Sequence, residues 1–361
     1  MKYLEEFRDV ATVKKMLYKL KLESNKKIKI MEVCGTHTMA IFRTGIRDLL
    51  PDNIELISGP GCPVCVTPQG YIDTAIELSK REDIIITTFA DMMRVPGTDS
   101  SLQKQKALGA NVRMVYSPLD AVKIAQDNPD KEVVFLAIGF ETTIPTIALS
   151  VKRVEELNLN NYSILQSLKT MPATMEGLVL DEEIEIDGFI CPGHVSTVIG
   201  VKPYEFLAEK YGVPAVVAGF ESGDIVFALY KLLKMIQDRE PKIENVYSRL
   251  VKYEGNQSAI NIISDIFEVT NSQWRGLGEI KGSGLKLRNE YQNIDTEIKL
   301  GISISREKKL KGCICGEVLK GKKTPLECKL FSKACTPVNP IGACMVSEEG
   351  TCAAYYKYGK K

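Results

Sequence analysis

The sequence predicts an α/β fold with two lobes, each built on a parallel β-sheet with flanking helices, and a small cysteine-rich domain at the C-terminus. Three observations predict this fold. Short β-branched runs alternate with helical stretches over much of the 361 residues. The alternation stops near Pro241. Six of the ten cysteines then lie between Cys313 and Cys352.

The predicted strands are nearly continuous apolar runs. Such runs are typical of parallel strands that are covered on both faces by crossover helices. A long amphipathic helix, about Asp224–Gln237, follows the last of them. The runs are Ile28–Val33, Ile54–Ser58, Asp83–Phe89, Val112–Ser117, Val133–Gly139, Tyr162–Gln166, Ile186–Cys191 and Pro214–Phe220.

The chain divides into four predicted segments. Residues 1–26 form an amphipathic helix that is expected to pack on the cysteine-rich domain. Residues 27–140 form the first α/β lobe and residues 141–240 the second. Residues 241–361 stay helical to Glu268, pass a glycine-rich stretch and end in the cysteine-rich domain. This domain has few large apolar residues, so a metal centre is an economical way to stabilise it.

Charge and hydropathy argue against two classes of partner. Lys and Arg number 47 against 46 for Asp and Glu, a net charge of +1, which predicts no basic face for nucleic acid. Apolar runs such as Val133–Ile138 are too short to span a membrane. The N-terminal helix lacks the apolar core of a signal peptide, so the cytoplasm is the expected compartment. Clustered cysteines in a reducing compartment bind metal or do redox chemistry more often than they form disulfides.

The first cysteines lie where predicted strands end. Cys34 follows the first strand and opens a helix that runs through Met39–Leu50, with His37 close by. Cys62 and Cys65 follow the second strand in Gly-Pro-Gly-Cys-Pro-Val-Cys. Neighbouring parallel strands would bring both motifs to one rim of the sheet, where ligands bind. The helix N-terminus should also favour a Cys34 thiolate.

A reactive-cysteine site is therefore predicted, with two alternatives. A single cysteine is often a small buried apolar residue. The three cysteines with His37 could instead form a structural zinc site.

Three further motifs follow predicted strands. His194 lies in Cys-Pro-Gly-His-Val-Ser, directly after the strand that ends at Cys191. The stretches Gly139–Thr143 and Gly219–Ser222 resemble each other and look like equivalent loops of the two lobes. Each could be a helix cap. Several polar loops that face one cleft would instead line an active site.

The C-terminal segment holds six thiols. Cubane iron–sulfur clusters take four thiolates, so six cysteines allow four ligands and a redox-active pair. Zinc knuckles prefer closely paired cysteines, whereas the gaps here are wide and unequal, which favours a cluster over zinc. Disulfides are the weaker alternative. The six are Cys313, Cys315, Cys328, Cys335, Cys344 and Cys352.

Long motifs together resemble the HypD family, whose members mature nickel–iron hydrogenases. They are MEVCGTHTMAIFRTGI, GPGCPVCVTP, GFETT, CPGHVS and ECKLFSKACTPVNPIGACMVSEEGTCAAYY. The resemblance runs from about Met31 to Tyr356. It implies a scaffold that assembles iron carrying two cyanides and one carbon monoxide. The implied partners are a HypC-type chaperone and a HypE-type cyanide donor, with this chain as a monomer in the hetero-complex.

The resemblance also implies residue roles at the first site. Cys34 would be the ligand of the assembled iron, and Cys62 and Cys65 a dithiol beside it. His37 and His194 match motif positions and would act as ligands or proton-handling groups.

At the second site the resemblance implies a 4Fe–4S cluster. The spacing fits Cys313, Cys328, Cys335 and Cys352 as ligands, with Cys315 and Cys344 as a redox pair, an arrangement similar to ferredoxin–thioredoxin reductase. Cys315 could replace Cys313, since spacing does not decide between them. The competing interpretations are a cluster-dependent thiol–disulfide oxidoreductase and a zinc-stabilised binding module. Whether the scaffold is itself an enzyme stays open.

Overall fold

The computed structural model describes Lys15, residues 27–305 and residues 312–359. The predicted N-terminal helix, residues 1–26, lies outside the described residues apart from Lys15. The described strands form two sheets with helices packed against them. The strands are β1 Ile28–Glu32, β2 Ile54–Ser58, β3 Ile84–Thr88, β4 Val112–Met114, β5 Glu132–Gly139, β6 Tyr162–Lys169, β7 Gly188–Cys191, β8 Ala215–Val217, β9 Ile243–Asn245, β10 Phe267–Trp274 and β11 Gly278–Leu287.

Most of the helices connect parallel strands, and several are only one turn long. Short 3₁₀ turns occupy Lys202–Tyr204, Asn289–Ile294, Pro325–Glu327 and Ala343–Met345. The α-helices are α1 Gly35–Thr44, α2 Ile46–Leu49, α3 Pro63–Val66, α4 Gln69–Ser79, α5 Ala90–Arg94, α6 Leu102–Ala107, α7 Pro118–Asp127, α8 Ile144–Glu156, α9 Met171–Val179, α10 Gly193–Ile199, α11 Glu205–Glu209, α12 Ser222–Asp238, α13 Gln257–Ile266, α14 Thr296–Leu300, α15 Cys315–Leu319 and α16 Thr351–Tyr358.

The first sheet is five-stranded, and its strands run in the order β2-β1-β7-β8-β9. All of its pairings are parallel. Strand β1 is central and almost entirely buried, with Ile30 opposite Leu56 of β2 and Gly188 of β7. Burial of both faces explains the continuous apolar runs in its sequence.

The second sheet is six-stranded, in the order β10-β11-β6-β5-β3-β4. Strands β6, β5, β3 and β4 pair in parallel, whereas the hairpin β10–β11 joins β6 in antiparallel pairing. The prediction of helix to Glu268 was wrong at its end, because β10 begins at Phe267. Burial in β10 alternates along the strand, a period of two that the glycine-rich stretch after it concealed.

The α/β class with parallel-strand sheets and flanking helices is confirmed. The predicted helix Met39–Leu50 is broken at Gly45, whose φ of 67° ends α1. In residues 312–359 the cysteines lie among short helices and turns. Within the described ranges no helix is long and apolar enough to cross a bilayer.

The two sheets exchange strands along the chain. The first sheet takes β1 and β2 from residues 27–140, β7 and β8 from residues 141–240, and β9 from the segment after that. The second sheet likewise draws on all three segments. The sheets therefore do not coincide with the sequence-based division at residue 140. An apolar run indicates that a strand is buried but does not identify its neighbours.

We predict that a fragment of residues 27–140 does not fold by itself. It would leave β1 without its partner β7, and β5 without its partner β6. In the fragment, β1 and β5 would each have an exposed edge. They would lose the hydrogen bonds to their partner strands and the burial of their apolar side chains. Far-ultraviolet circular dichroism during heating should show no cooperative transition for the fragment and a cooperative one for the full chain. A sigmoidal melt of the fragment would contradict the interleaved topology.

Candidate functional site

Four loops meet at the carboxyl ends of four neighbouring strands in the first sheet. In the spatial order β2-β1-β7-β8 these ends are followed by Cys62, Cys34, His194 and Gly219. This is the edge of a parallel sheet at which ligands bind. The strand order therefore places the loops of the predicted first site side by side, although they lie far apart in sequence.

The loop after β2 packs directly on the Cys34 backbone. The amide of Gly35 donates to the carbonyl of Gly61 over 3.2 Å. A side chain at Gly61 would put its Cβ 2.4 Å from the Cα of Cys34, which is too close for any atom. Glycine is thus required at position 61 for Cys62 and Cys34 to lie in adjoining loops.

Cys34 is a buried thiol at the N-terminus of α1. Burial, with the nearby Glu349 carboxylate, raises the pKa of Cys34 to about 12, although the amides of Thr36 and His37 act in the opposite direction. The helix N-terminus does favour the thiolate as the sequence suggested, but desolvation outweighs it. The protein alone keeps Cys34 protonated near neutral pH, and a bound cation would be needed to displace the proton.

His37 is completely buried one turn along α1. Its Nε2 lies 2.9 Å from the carbonyl oxygen of Gly219. Because a carbonyl only accepts, Nε2 carries the proton and Nδ1 keeps its lone pair. Nδ1 is buried and has no hydrogen-bond partner. Burial lowers the pKa of His37 to about 4, so the imidazole is neutral and Nδ1 is available as a ligand or acceptor.

Phe220 lies between the two histidines. Its ring centroid is 4.7 Å from that of His37 and 4.1 Å from that of His194. His194 is exposed, and its pKa is lowered by partial desolvation and raised by Glu349. Both histidine rings therefore contact Phe220, with His37 buried and His194 exposed to solvent.

Glu32 is a buried carboxyl group behind Cys34. Its Oε1 accepts from the Thr38 hydroxyl at 2.6 Å, and its Oε2 accepts from the Cys34 amide at 3.4 Å. Burial raises the pKa of Glu32 to about 8, opposed by hydrogen bonds that include one from Ser58. A carboxyl group with that pKa can hold or release a proton near neutral pH.

Glu349 joins the C-terminal segment to the same site. The Thr36 hydroxyl donates to its Oε1 over 2.8 Å. The Glu349 carboxylate also acts on the pKa values of Cys34 and His194. The cysteine-rich segment therefore contributes directly to the loop cluster around Cys34.

The two similar loops differ in role. Glu221, in the second loop, caps α12 through a capping box with Asp224. This agrees with the alternative that the motif is a helix cap. Glu141, in the first loop, is buried and accepts from the Met171 amide at 2.9 Å through Oε1. Its Oε2 has no partner, and burial raises its pKa to about 7.

All six C-terminal thiols line one pocket. Its remaining walls are mostly apolar. The lining cysteines are Cys313, Cys315, Cys328, Cys335, Cys344 and Cys352. The thiols therefore converge despite wide and unequal gaps in sequence.

Cys315 and Cys344 approach each other closely in the pocket. Their sulfur atoms are 2.7 Å apart, and both thiols are free and buried. Hydrogen bonds among the thiols and desolvation hold the pKa of each well above the usual value for cysteine. A small movement would bring the sulfurs to the separation of a disulfide.

A series of thiols connects this pocket to the first site. Cys62 caps α3, and its sulfur accepts from the Cys65 amide at 3.3 Å. The Cys65 thiol donates to the carbonyl of Ala343 at 4.0 Å, directly before Cys344, and all four cysteines of the series belong to one cluster of buried side chains. Cys62, Cys65, Cys344 and Cys315 therefore form a continuous path through the protein interior.

The donor set of the pocket fits an iron–sulfur cluster. Such clusters take four cysteine thiolates, and the pocket offers six thiols with mostly apolar side chains around them. In the described ranges no three or more Cys, His, Asp or Glu side chains converge closely enough for a single metal ion.

The structure brings the predicted residues of the first site into adjoining loops, and Cys65 connects that site to the pocket. Sequence reasoning missed the buried carboxyl of Glu32 and the contact of Glu349. Both residues lie inside the motifs given above. Their closeness to cysteines along the chain could have marked them as candidate site residues.

Comparison with known proteins gives consistent matches over the full length. A family model for HypD, described as a hydrogenase formation hypA family, matches residues 11–359. Hydrogenase maturation factor HypD2 of Bradyrhizobium diazoefficiens is 46% identical over 370 residues, covering 100% of this chain and 97% of that protein. The hydrogenase expression/formation protein HupD of Azotobacter chroococcum is 45% identical, covering 100% and 98%. Hydrogenase maturation factor HypD of Rhodobacter capsulatus is 45% identical, covering 99% and 98%.

We predict that mild oxidation of the metal-free protein links Cys315 to Cys344 before any other pair. The reason is the separation of 2.7 Å between their sulfurs. Diamide treatment, alkylation and peptide mass spectrometry should find this cross-link first. In Cys344→Ser, Cys315 should remain free to alkylate. First formation of a Cys313–Cys328 link would contradict the pairing.

Proposed function

Because the chain belongs to the HypD family of hydrogenase maturation factors, we propose that it is the scaffold on which iron receives two cyanides and one carbon monoxide for a nickel–iron hydrogenase. Its role lies in hydrogenase maturation. The observation that carries the finer proposal is the buried loop cluster at four strand ends, where the Cys34 thiol lies on the same short helix as the free Nδ1 of His37. Low-spin iron with strong-field ligands favours a thiolate.

The iron is the cargo, and the chain's residues prepare its site. Cys34 would bind it as thiolate and release a proton on binding. Glu32 accepts from the Cys34 amide, and because its pKa is about 8 only the ionised fraction of this carboxyl group would receive that proton near neutral pH. The lone pair at Nδ1 of His37 offers a second ligand or a proton acceptor. His194, on the exposed side of Phe220, would handle protons at the entrance.

The partners would approach from the open side of this cluster. A HypC-type chaperone would share the iron, and a HypE-type protein would donate cyanide. Cys62 and Cys65 would supply a dithiol beside the assembly loop. All ten cysteines are free, which suits the reducing cytoplasm that we propose as the compartment.

The six-thiol pocket would hold a 4Fe–4S cluster through Cys313, Cys328, Cys335 and Cys352, and the cluster would supply electrons. The close approach of Cys315 and Cys344 supports their assignment as the separate redox pair. The Cys65 thiol hydrogen-bonds to the carbonyl of Ala343, next to Cys344, so the pair lies beside the dithiol of the first site.

The thiol path favours one competing function, a cluster-dependent thiol–disulfide oxidoreductase that acts without a chaperone. A zinc-stabilised binding module is the other alternative from the sequence. Metal and sulfide analysis of anaerobically purified protein distinguishes the zinc-stabilised module from a cluster-containing protein. A cluster gives about four irons with sulfide, whereas structural zinc gives about one or two zinc ions.

We predict that Cys34→Ala abolishes loading of iron that carries cyanide and carbon monoxide, because it removes the thiolate ligand. The protein should be purified anaerobically after co-expression with its maturation partners. Infrared spectroscopy should show the cyanide and carbonyl bands in the unaltered chain and none in the variant.

Cys191→Ala is the matched control for this substitution. Cys191 is also buried and ends the neighbouring strand β7, but no role in iron binding is assigned to it. It should keep the bands. Infrared bands at full intensity in Cys34→Ala would eliminate Cys34 as the iron ligand.

We predict that Cys328→Ala loses the brown visible absorbance of the cluster while both sheets stay folded. Cys328 lines the pocket, and a cluster with three remaining ligands is less stable. Visible absorbance, iron and sulfide content, and circular dichroism measure the two parts of the expectation.

The matched control here is Cys315→Ala, which removes a thiol from the same pocket. It should retain the absorbance if Cys313 is the ligand and Cys315 belongs to the pair. An unchanged spectrum in Cys328→Ala would refute the ligand assignment. Loss of absorbance in Cys315→Ala would assign Cys315 as a ligand.

A further inference from the structure

Arg275 is a buried cation in the turn between β10 and β11. Only 6% of its surface is exposed. Its amide donates to the Val66 carbonyl at 2.8 Å, its Nε to the Thr67 carbonyl at 2.7 Å, and one terminal nitrogen to Oε1 of Gln69 at 2.8 Å. The side chain is therefore fixed to the segment that directly follows Cys65.

The positive charge of Arg275 has no carboxylate partner. All its side-chain hydrogen bonds go to neutral oxygens, and its other terminal nitrogen is buried without a hydrogen bond. Within the described ranges it takes part in no ion pair. An arginine cannot become neutral, so its burial without a counter-charge is costly. A negative charge close to Arg275 would offset this cost.

The hairpin turn packs on the cysteine-rich segment. A Cβ at Gly276 would lie 2.1 Å from the Cα of Gly316, so the two backbones touch where only glycine fits. Gly316 directly follows Cys315. Cys315 lines the six-thiol pocket. The six-thiol pocket is therefore where the missing negative charge would arise.

We propose that Arg275 is the fixed counter-charge of the six-thiol pocket and raises the reduction potential of the group bound there. The inference rests on the proposed function only in that the pocket holds a 4Fe–4S cluster. Four bound thiolates bring negative charge into a dry site, and each added electron increases it. A cation held by the fold stabilises the reduced state more than the oxidised state.

A purely structural role is the alternative. The bonds of Arg275 to Thr67 and Gln69 connect the hairpin to the loop after Cys65 whether or not charge matters. The two roles differ in what a conservative variant does. Arg275→Lys keeps the charge and loses the forked hydrogen bonds, whereas Arg275→Gln loses the charge and keeps an amide donor.

The experiment measures the midpoint potential of the cluster in the full chain. Anaerobically purified protein is titrated with dithionite in the presence of mediator dyes, and the visible absorbance is followed. We expect Arg275→Gln to make reduction about tenfold less favourable, a shift of about 59 mV to more negative potential for a one-electron couple. Arg275→Lys should stay near the unaltered chain.

Lys281→Gln is the control, because it removes the same charge from an exposed position on β11, where solvent screens it. It should leave the potential unchanged. If Arg275→Gln does not fold, Gln69→Glu replaces it. That variant keeps the acceptor for Arg275 but opposes its charge, so it should shift the potential in the same direction.

Several outcomes would overturn the proposal. An unchanged potential in Arg275→Gln, or in Gln69→Glu where that variant replaces it, at normal iron and sulfide content removes the electrostatic role. Equal shifts in Arg275→Lys and Arg275→Gln assign the effect to hydrogen bonding instead of charge. Failure of the unaltered chain to hold iron and sulfide overturns the cluster proposal and this inference with it. The first two outcomes, by contrast, leave the cluster proposal standing.

Discussion

Desolvation of cysteine is the constraint on which the rest of this structure depends. Burial raises the pKa of Cys34, Cys65 and Cys191, and hydrogen bonds among the thiols together with burial raise the pKa of Cys315 and Cys344. The protein alone therefore holds these groups neutral, which lets many of them lie in one interior without mutual repulsion. A soft metal cation that binds such a thiol displaces its proton, so metal binding and deprotonation occur together.

The interleaved sheets meet this constraint. Since β1 and β2 share a sheet with β7 and β8, loops from both halves of the chain close over Cys34 and exclude water. Glu349, from the C-terminal segment, completes the same enclosure through Thr36. A site built within one contiguous lobe would have fewer strand-end loops and more exposed thiols. Topology and electrostatics thus lead to the same arrangement.

Much of this could be predicted from the sequence, for identifiable reasons. Runs such as Ile28–Val33 show burial on both faces, and a motif that follows such a run must lie at the sheet edge. Strand order could not be predicted, because every buried parallel strand has the same apolar pattern. The β10–β11 hairpin was missed because glycine and polar residues conceal its alternation. The pairing of Cys315 with Cys344 depends on a 2.7 Å approach that no spacing encodes.

Thiol–disulfide exchange begins with attack by a thiolate, so the raised thiol pKa values mean that the attacking cysteine must give up its proton in that step. When a dithiol becomes a disulfide it gives up two electrons and two protons, so no net charge remains in the core. In the proposed function, the pair Cys315 and Cys344 would reduce a Cys62–Cys65 disulfide through contact of Cys65 with Cys344, and both protons would pass with the electrons. A row of metal ions along the same path would place fixed charges there, each costing several kcal/mol to bury. Thiols avoid that cost, and a permanent charge is then needed only where a cluster brings negative charge of its own.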